Sequence, residues 1–385
     1  MLKSIFSFVS LVLIASLPAS ASPEEHHISP EPVLTTAISD MLGIPPNDLT
    51  VDHLKSLTVL DIQDKGLSSL EGLQHAVNLK SLRISGNNVT DLSPIAGLTQ
   101  LEQLVVDGNP IASIEGLEGL SSLRVFHADG CDLQTIDAAR HWQNLVGITV
   151  SCQLTSIAPL RNLQKLKAVW VPDNEITDLT VLRDLPQLKI LVVGGNPVLS
   201  IEPISELTEL VDLGLFDLDL TDLSALSNLA ELERLNLRNN DIVDISPLKN
   251  KKKLAWLDLT NNRLTEITPL SDNAAIERLF LSRNRIESLA PITRLQKLVW
   301  LRADGNDVGT LTPLKQVPSL QIVSVTGNNL TDQEWPQTAE LISMIEARGG
   351  QISIMPQTAQ SVYATPTLLK APPDPDNVVL GNSKN

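Results

Sequence analysis

Arg234, Trp256, Arg278 and Trp300 follow one another at intervals of twenty-two residues. Arg and Trp are favoured anchors of protein interfaces, because a guanidinium offers a planar fork of donors and an indole a broad rigid face. If twenty-two residues make one structural unit, the four side chains stand next to one another, and guanidinium planes can stack on indoles. Phe280 and Arg302 sit two residues beyond Arg278 and Trp300, so they belong to a neighbouring column of the same surface. Trp170 and Phe216 occupy comparable outward places upstream, together with Val105, Ile190 and Val192. The alternative is that these residues stack on each other and merely cover the surface beneath them.

Two smaller constellations could also carry chemistry. Cys131 and Cys152 are the only cysteines of the chain. No C-x-x-C pair accompanies them, so zinc binding and nucleophilic chemistry are not expected. His127, with Asp107 and Asp129 nearby in the repeat pattern, has the residue types of a metal or acid–base site, although a solvated histidine is the expectation. Asp61, Asp173, Asp258 and Asp304 join these two acids on the outward face and make its start acidic. Calcium would need several oxygens converging on one point, which columns of single residues do not provide. No G-x-S-x-G, H-E-x-x-H, phosphate-loop or dinucleotide pattern occurs, and no enzyme or cofactor is expected.

What must position these residues is a repeat. Written from Leu232, Leu254 and Ile276, the chain reads LERLNLRNNDIVDISPLKNKKK, LAWLDLTNNRLTEITPLSDNAA and IERLFLSRNRIESLAPITRLQK. Thirteen units begin at Leu57, Leu79, Leu101, Leu123, Leu145, Leu166, Leu188, Leu210, Leu232, Leu254, Ile276, Leu298 and Leu320. All complete intervals are twenty-two residues except that from Leu145 to Leu166, which lacks one residue just after Val150. The form L-x-x-L-x-L-x-x-N-x-I/L is the leucine-rich repeat pattern. Its alternating part predicts a short strand with aliphatics inward and the third, fifth and seventh places outward. The ninth place predicts an inward Asn whose amide serves backbone groups left open by the bend. This ladder comprises Asn87, Asn109, Asn174, Asn196, Asn240, Asn262, Asn284, Asn306 and Asn328, with Cys131 and Cys152 as two of its exceptions. Neighbouring rungs bring the two cysteines to about 5 Å, within disulfide range. Free thiols are preferred over the disulfide, because parallel rungs seldom present ideal torsions.

Pro recurs at the sixteenth place, as in Ser93-Pro94, Ser246-Pro247 and Thr312-Pro313. A capping hydroxyl followed by Pro signals a helix start, and the short room left predicts a 3₁₀ turn. Strands on one side and slimmer turns on the other predict a curved α/β solenoid of right-handed leucine-rich repeats. Its parallel sheet lines the concave face, and thirteen strands extend it by roughly 60 Å.

The ends read differently. Residues 1–21 have the form of a secretory signal, with Lys3, an apolar run from Ile5 to Leu17 and an Ala19-Ser20-Ala21 cleavage site. Residues 22–31 read as a flexible lead, 32–56 as a helical cap, 57–331 as the repeats, 332–356 as a second cap and 357–385 as a Pro-rich disordered tail. Within the caps, helices are predicted over 32–42, 50–56 and 336–348, and a last strand over 351–355. The net charge of −16 argues against nucleic acid as a partner, and no later stretch is apolar enough to cross a membrane.

Units such as LKSLRISGNNVTDLSPIAGLTQ (79–100) resemble the repeats of bacterial internalin-type leucine-rich repeat proteins. The resemblance covers residues 32–355 and implies a curved scaffold that binds protein on its concave face. Neither an LPxTG motif nor an immunoglobulin-like or GW module is recognisable after residue 331. The expectation is therefore an exported protein, secreted or periplasmic, that grips a protein partner, with an envelope or matrix polysaccharide held by the Trp residues as the alternative. Replacing Trp256 and Trp300 by Ala is expected to abolish binding while leaving the thermal transition nearly intact.

Overall fold

The computed structural model describes residues 31–331 and 334–354. The leader at 1–21, the lead at 22–30 and the tail at 357–385 lie outside the described residues.

A six-place pattern of inward aliphatics leaves each unit room for only a short strand, so the sheet is built of many brief strands. They run from β1 (Val59–Asp61) through β4 (Val125–Asp129), β5 (Gly147–Ser151), β6 (Ala168–Trp170), β7 (Ile190–Val192), β8 (Asp212–Gly214) and β9 (Arg234–Asn236). They continue with β10 (Trp256–Asp258), β11 (Arg278–Phe280), β12 (Trp300–Arg302), β13 (Ile322–Ser324) and β14 (Gln351–Ser353). All fourteen described strands form one parallel sheet whose spatial order is the chain order. Single turns of 3₁₀ helix return the chain behind the sheet, as at Ser93–Ile95 and Ser246–Leu248. This is the leucine-rich solenoid that the spacing predicts.

The core is a continuous stack of Leu, Ile and Val, each rung buried against the next. All nine ladder asparagines are buried. Asn284 shows the reason for the residue type: its Oδ1 accepts from the Leu264 N–H at 3.0 Å, and its Nδ2 donates to the Leu259 and Leu281 carbonyls at 2.9 and 3.0 Å. Only an amide supplies acceptor and donors together at one bend.

The residue before each rung turns the chain by taking a positive φ. That eighth place holds Asp64, Gly86, Gly108, Gly130, Asp173, Gly195, Asp217, Asn239, Asn261, Arg283, Gly305 and Gly327. Gly, Asn and Asp tolerate the left-handed region best, which accounts for eleven of these; Arg283 is the exception. The shortened unit is the one without such a residue. Ser151 still pairs with Asp129, so the deletion falls after Ser151 and not after Val150, and what is missing is the corner itself.

One further expectation is corrected behind the sheet. The turn-starting Ser or Thr does not cap with its own hydroxyl. Ser93 and Ser246 are the first residues of their turns, and an Asp two residues earlier accepts both the N–H and the hydroxyl, Asp91 for Ser93 and Asp244 for Ser246, all at 2.8 Å. The twentieth place, normally Leu, was not read from the sequence. There Trp142, Lys251 and Asn273 point inward, and each donates to the carbonyl twenty-five residues earlier: Leu117 at 2.9 Å, Leu226 at 2.6 Å and Leu248 at 2.8 Å.

The ends of the stack are closed by helices. α1 (Pro32–Leu42) stops at Gly43, whose φ is 67°, and α2 (Val51–Ser56) buries Leu54 against the first repeat. The Glu31 carboxylate accepts from the Ser68 and Ser69 N–H groups at 2.9 and 2.7 Å, tying the cap to the repeats. α3 (Trp335–Ala347) buries Leu341 and Ile345 at the other end.

Candidate functional site: the concave sheet face

The registers set the face. Arg234 pairs with Trp256, Trp256 with Arg278, and Arg278 with Trp300 across β9 to β12, so the four do stand abreast. The Arg234 guanidinium lies 3.9 Å from the Trp256 ring centre, and those of Arg278 and Arg302 lie 5.9 and 5.5 Å from a Trp300 ring centre. The Arg–Trp stacking expected from the spacing is present.

Exposure is where the expectation gives way. Trp256, Phe280 and Trp300 keep only 9%, 8% and 6% of their surface exposed. They form an aromatic cluster of their own, separate from the leucine core, with Ile322 against its edge. Phe280 is the wedge: its ring centre lies 5.5 Å from that of Trp256 and 5.2 Å from that of Trp300, tilted by 54° and 74°. Edges meeting faces are the favoured aromatic geometry, so the three lean together instead of standing out from the sheet. The cluster thus covers the sheet, as the alternative reading had it, and at the same time forms a floor for three guanidiniums. Neither buried indole N–H finds an acceptor among the described residues.

The remaining predicted residues lie elsewhere on the face. Trp170, on β6, is half-buried and outside the cluster. Phe216 lies flat on the bare Cα of Gly194, where a Cβ would come within 2.6 Å of the ring, and the Arg238 guanidinium sits 5.1 Å above it. Arg238 was missed by the sequence reading, although it stands in the same seventh-place column as Phe216.

Acids dominate the opposite half. His127 is half-buried, not the solvated residue expected, and burial lowers its pKa against the pull of Asp107. Burial and the nearby Asp107 push Asp129 up to about 7. Asp107 accepts the Asp129 backbone N–H at 2.9 Å. Among the described residues no three His, Cys, Asp or Glu side chains converge to hold a metal ion.

Cys131 and Cys152 form a disulfide, contrary to the preference for free thiols. The missing corner residue delivers Cys152 straight from β5 onto the rung beside Cys131, with the Cα atoms 5.1 Å apart, inside the range a disulfide spans. The Asn174 Oδ1 accepts from the Cys152 and Leu154 N–H groups at 3.0 Å, so the Cys152 side chain is not needed for that backbone.

Fold and repeat pattern together define a leucine-rich repeat solenoid, and its likeness is to structures of that kind, a bacterial internalin among them. The family described as Leucine Rich repeats (2 copies) matches residues 77–119. Among solved structures the chain is similar to an internalin, inlF, from Listeria monocytogenes, with 25% identity, 78% of this chain and 90% of that one covered, and a TM-score of 0.73. A leucine-rich repeat protein from Leptospira interrogans shares the fold at 19% identity, covering 78% and 97%, with a TM-score of 0.61. So does the ectodomain of the plant receptor kinase GASSHO1/SCHENGEN3 from Arabidopsis thaliana, solved with CASPARIAN STRIP INTEGRITY FACTOR 2, at 22% identity, 73% and 37% coverage and a TM-score of 0.60. No curated protein matches the sequence. No helix among the described residues is long and apolar enough to cross a membrane.

Proposed function

We propose that this chain is an exported scaffold, secreted or periplasmic, that holds a protein partner against its concave sheet. The observation that carries this reading is the aromatic floor of Trp256, Phe280 and Trp300 with Arg234, Arg278 and Arg302 laid over it. A packed apolar patch under oriented guanidiniums has the composition of an interface hot spot, and it is fixed before the partner arrives. The plant receptor ectodomain that shares the fold was itself solved in complex with another factor. A polysaccharide would ask for open indole faces, and Trp256 and Trp300, at 9% and 6% exposure, offer little of theirs.

The test is capture of partners by the protein without its leader, compared with the Trp256→Ala/Trp300→Ala variant. Because the indoles are packed, this variant melts earlier than the parent, not at nearly the same temperature as the sequence alone implies. Arg278→Glu/Arg302→Glu, which leaves the floor in place, is therefore run beside it. Loss of the same captured proteins in both variants supports the reading. A folded variant of either kind that captures them as well as the parent removes this patch as the binding surface.

A further inference from the structure

The four arginines that lie over aromatic rings of this face are not equally engaged. Arg234 leans toward Asp212 at 3.9 Å. Arg238 and Arg302 instead lie over Phe216 and Trp300, and no ion pair within 4 Å among the described residues uses either of them. Arg238 feels Asp173 and Asp258 only at a distance, and two acids of this half, Asp304 and Asp258, are already hydrogen-bonded. Asp304 accepts from the Ser324 and Thr326 hydroxyls at 2.6 and 2.8 Å and from the Thr326 N–H at 2.9 Å. Asp258 accepts the Thr260 N–H at 2.8 Å.

A guanidinium over a ring still has N–H groups to spare, and their planar fork matches the two oxygens of a carboxylate. Stacking also fixes the long side chain in advance, so less freedom is lost when a ligand binds. We propose that Arg238 and Arg302 receive the carboxylates of an acidic, extended peptide segment of the partner, laid across the strands from β9 to β12. This rests on the concave face being the binding surface. Three strand steps and an offset of two residues along the strands separate the two arginines, about 16 Å between their backbone positions, and side chains on one edge of an extended peptide recur every ~7 Å. Acids four residues apart span most of that distance, and the long arginine side chains close the rest.

The chain carries a net charge of −16, which repels a polyanion at long range. A preference for acid therefore has to come from the local arginines. Fluorescein-labelled peptides Glu-Ala-Glu-Ala-Glu-Ala-Glu, its Gln counterpart and its Lys counterpart are titrated with the full chain and read by anisotropy. The expected result is binding of the Glu peptide about tenfold or more tighter than the Gln peptide, with the preference lost in Arg238→Gln/Arg302→Gln. The single variants, each with an unchanged melting curve, serve if the double variant does not fold. Equal binding of Glu and Gln peptides, tighter binding of the Lys peptide, or a preference that survives in the variants overturns the proposal. Failure of the peptides alongside continued loss of captured partners in the Trp256→Ala/Trp300→Ala variant would discard the acidic segment and leave the concave reading standing.

Discussion

Lys251→Leu should make the protein more stable. Lys251 is only 2% exposed and stands in the column that is Leu98, Leu120, Leu185, Leu207, Leu229 and Leu295 in other repeats. Its Nζ donates to the Leu226 and Ser227 carbonyls at 2.6 and 2.8 Å, and burial brings its pKa down to about 8. The Leu226 carbonyl keeps a second donor, the Leu229 N–H at 3.1 Å, when the lysine is gone. Replacing a desolvated charge by a well-packed apolar side chain is commonly worth about 1–3 kcal/mol. The pH dependence identifies the cause. The folded value of about 8 lies below the ordinary 10.5, so between them the unfolded chain holds a proton that the folded one has released. Stability of the parent therefore rises with pH across that window, by roughly 1–2 kcal/mol after allowance for the solvent near Ser227. The variant has no such rise. Urea unfolding at pH 7 and pH 10 should show the advantage of Lys251→Leu shrinking at the higher pH. A variant less stable than the parent at pH 7, or an advantage that does not change with pH, refutes the reasoning.

Alkylation of the denatured, unreduced protein should leave its mass unchanged, and prior reduction should add two labels. Opening the twenty-one-residue span with Cys131→Ser/Cys152→Ser should cost about 3 kcal/mol by chain entropy, read as a lower urea midpoint. Asp129→Asn should stabilise the protein at pH 8 and have little effect near pH 4. The folded carboxyl titrates about 7 against an ordinary 3.8, so the parent's stability falls as pH rises between the two, and equal gains at both pH values would count against that origin.

The stack itself was legible because a period dictates it: inward Leu and a rung Asn have one job each, repeated until it shows. Outward residues were assigned to the right face and the wrong exposure. Spacing places Phe280 two residues from Arg278, but which way its ring leans depends on the free volume between two indoles one strand away on either side. Lys251 was hidden differently. It stands in the run Lys249, Asn250, Lys251, Lys252, Lys253, which reads as a solvated basic loop, and only its register with the Leu column marks it as interior. The disulfide was misjudged on an average property of parallel rungs, whereas the absent corner residue of that one unit governs where Cys152 falls.

Because the strands lie in space as they lie in the chain, every unit leans only on the two beside it. Such a body can grow by copying: a duplicated unit brings its own interior and lengthens the sheet by one more row of side chains. The length of the sheet and the side chains along it can therefore change without rebuilding the rest, provided that the two dissimilar ends stay where they are.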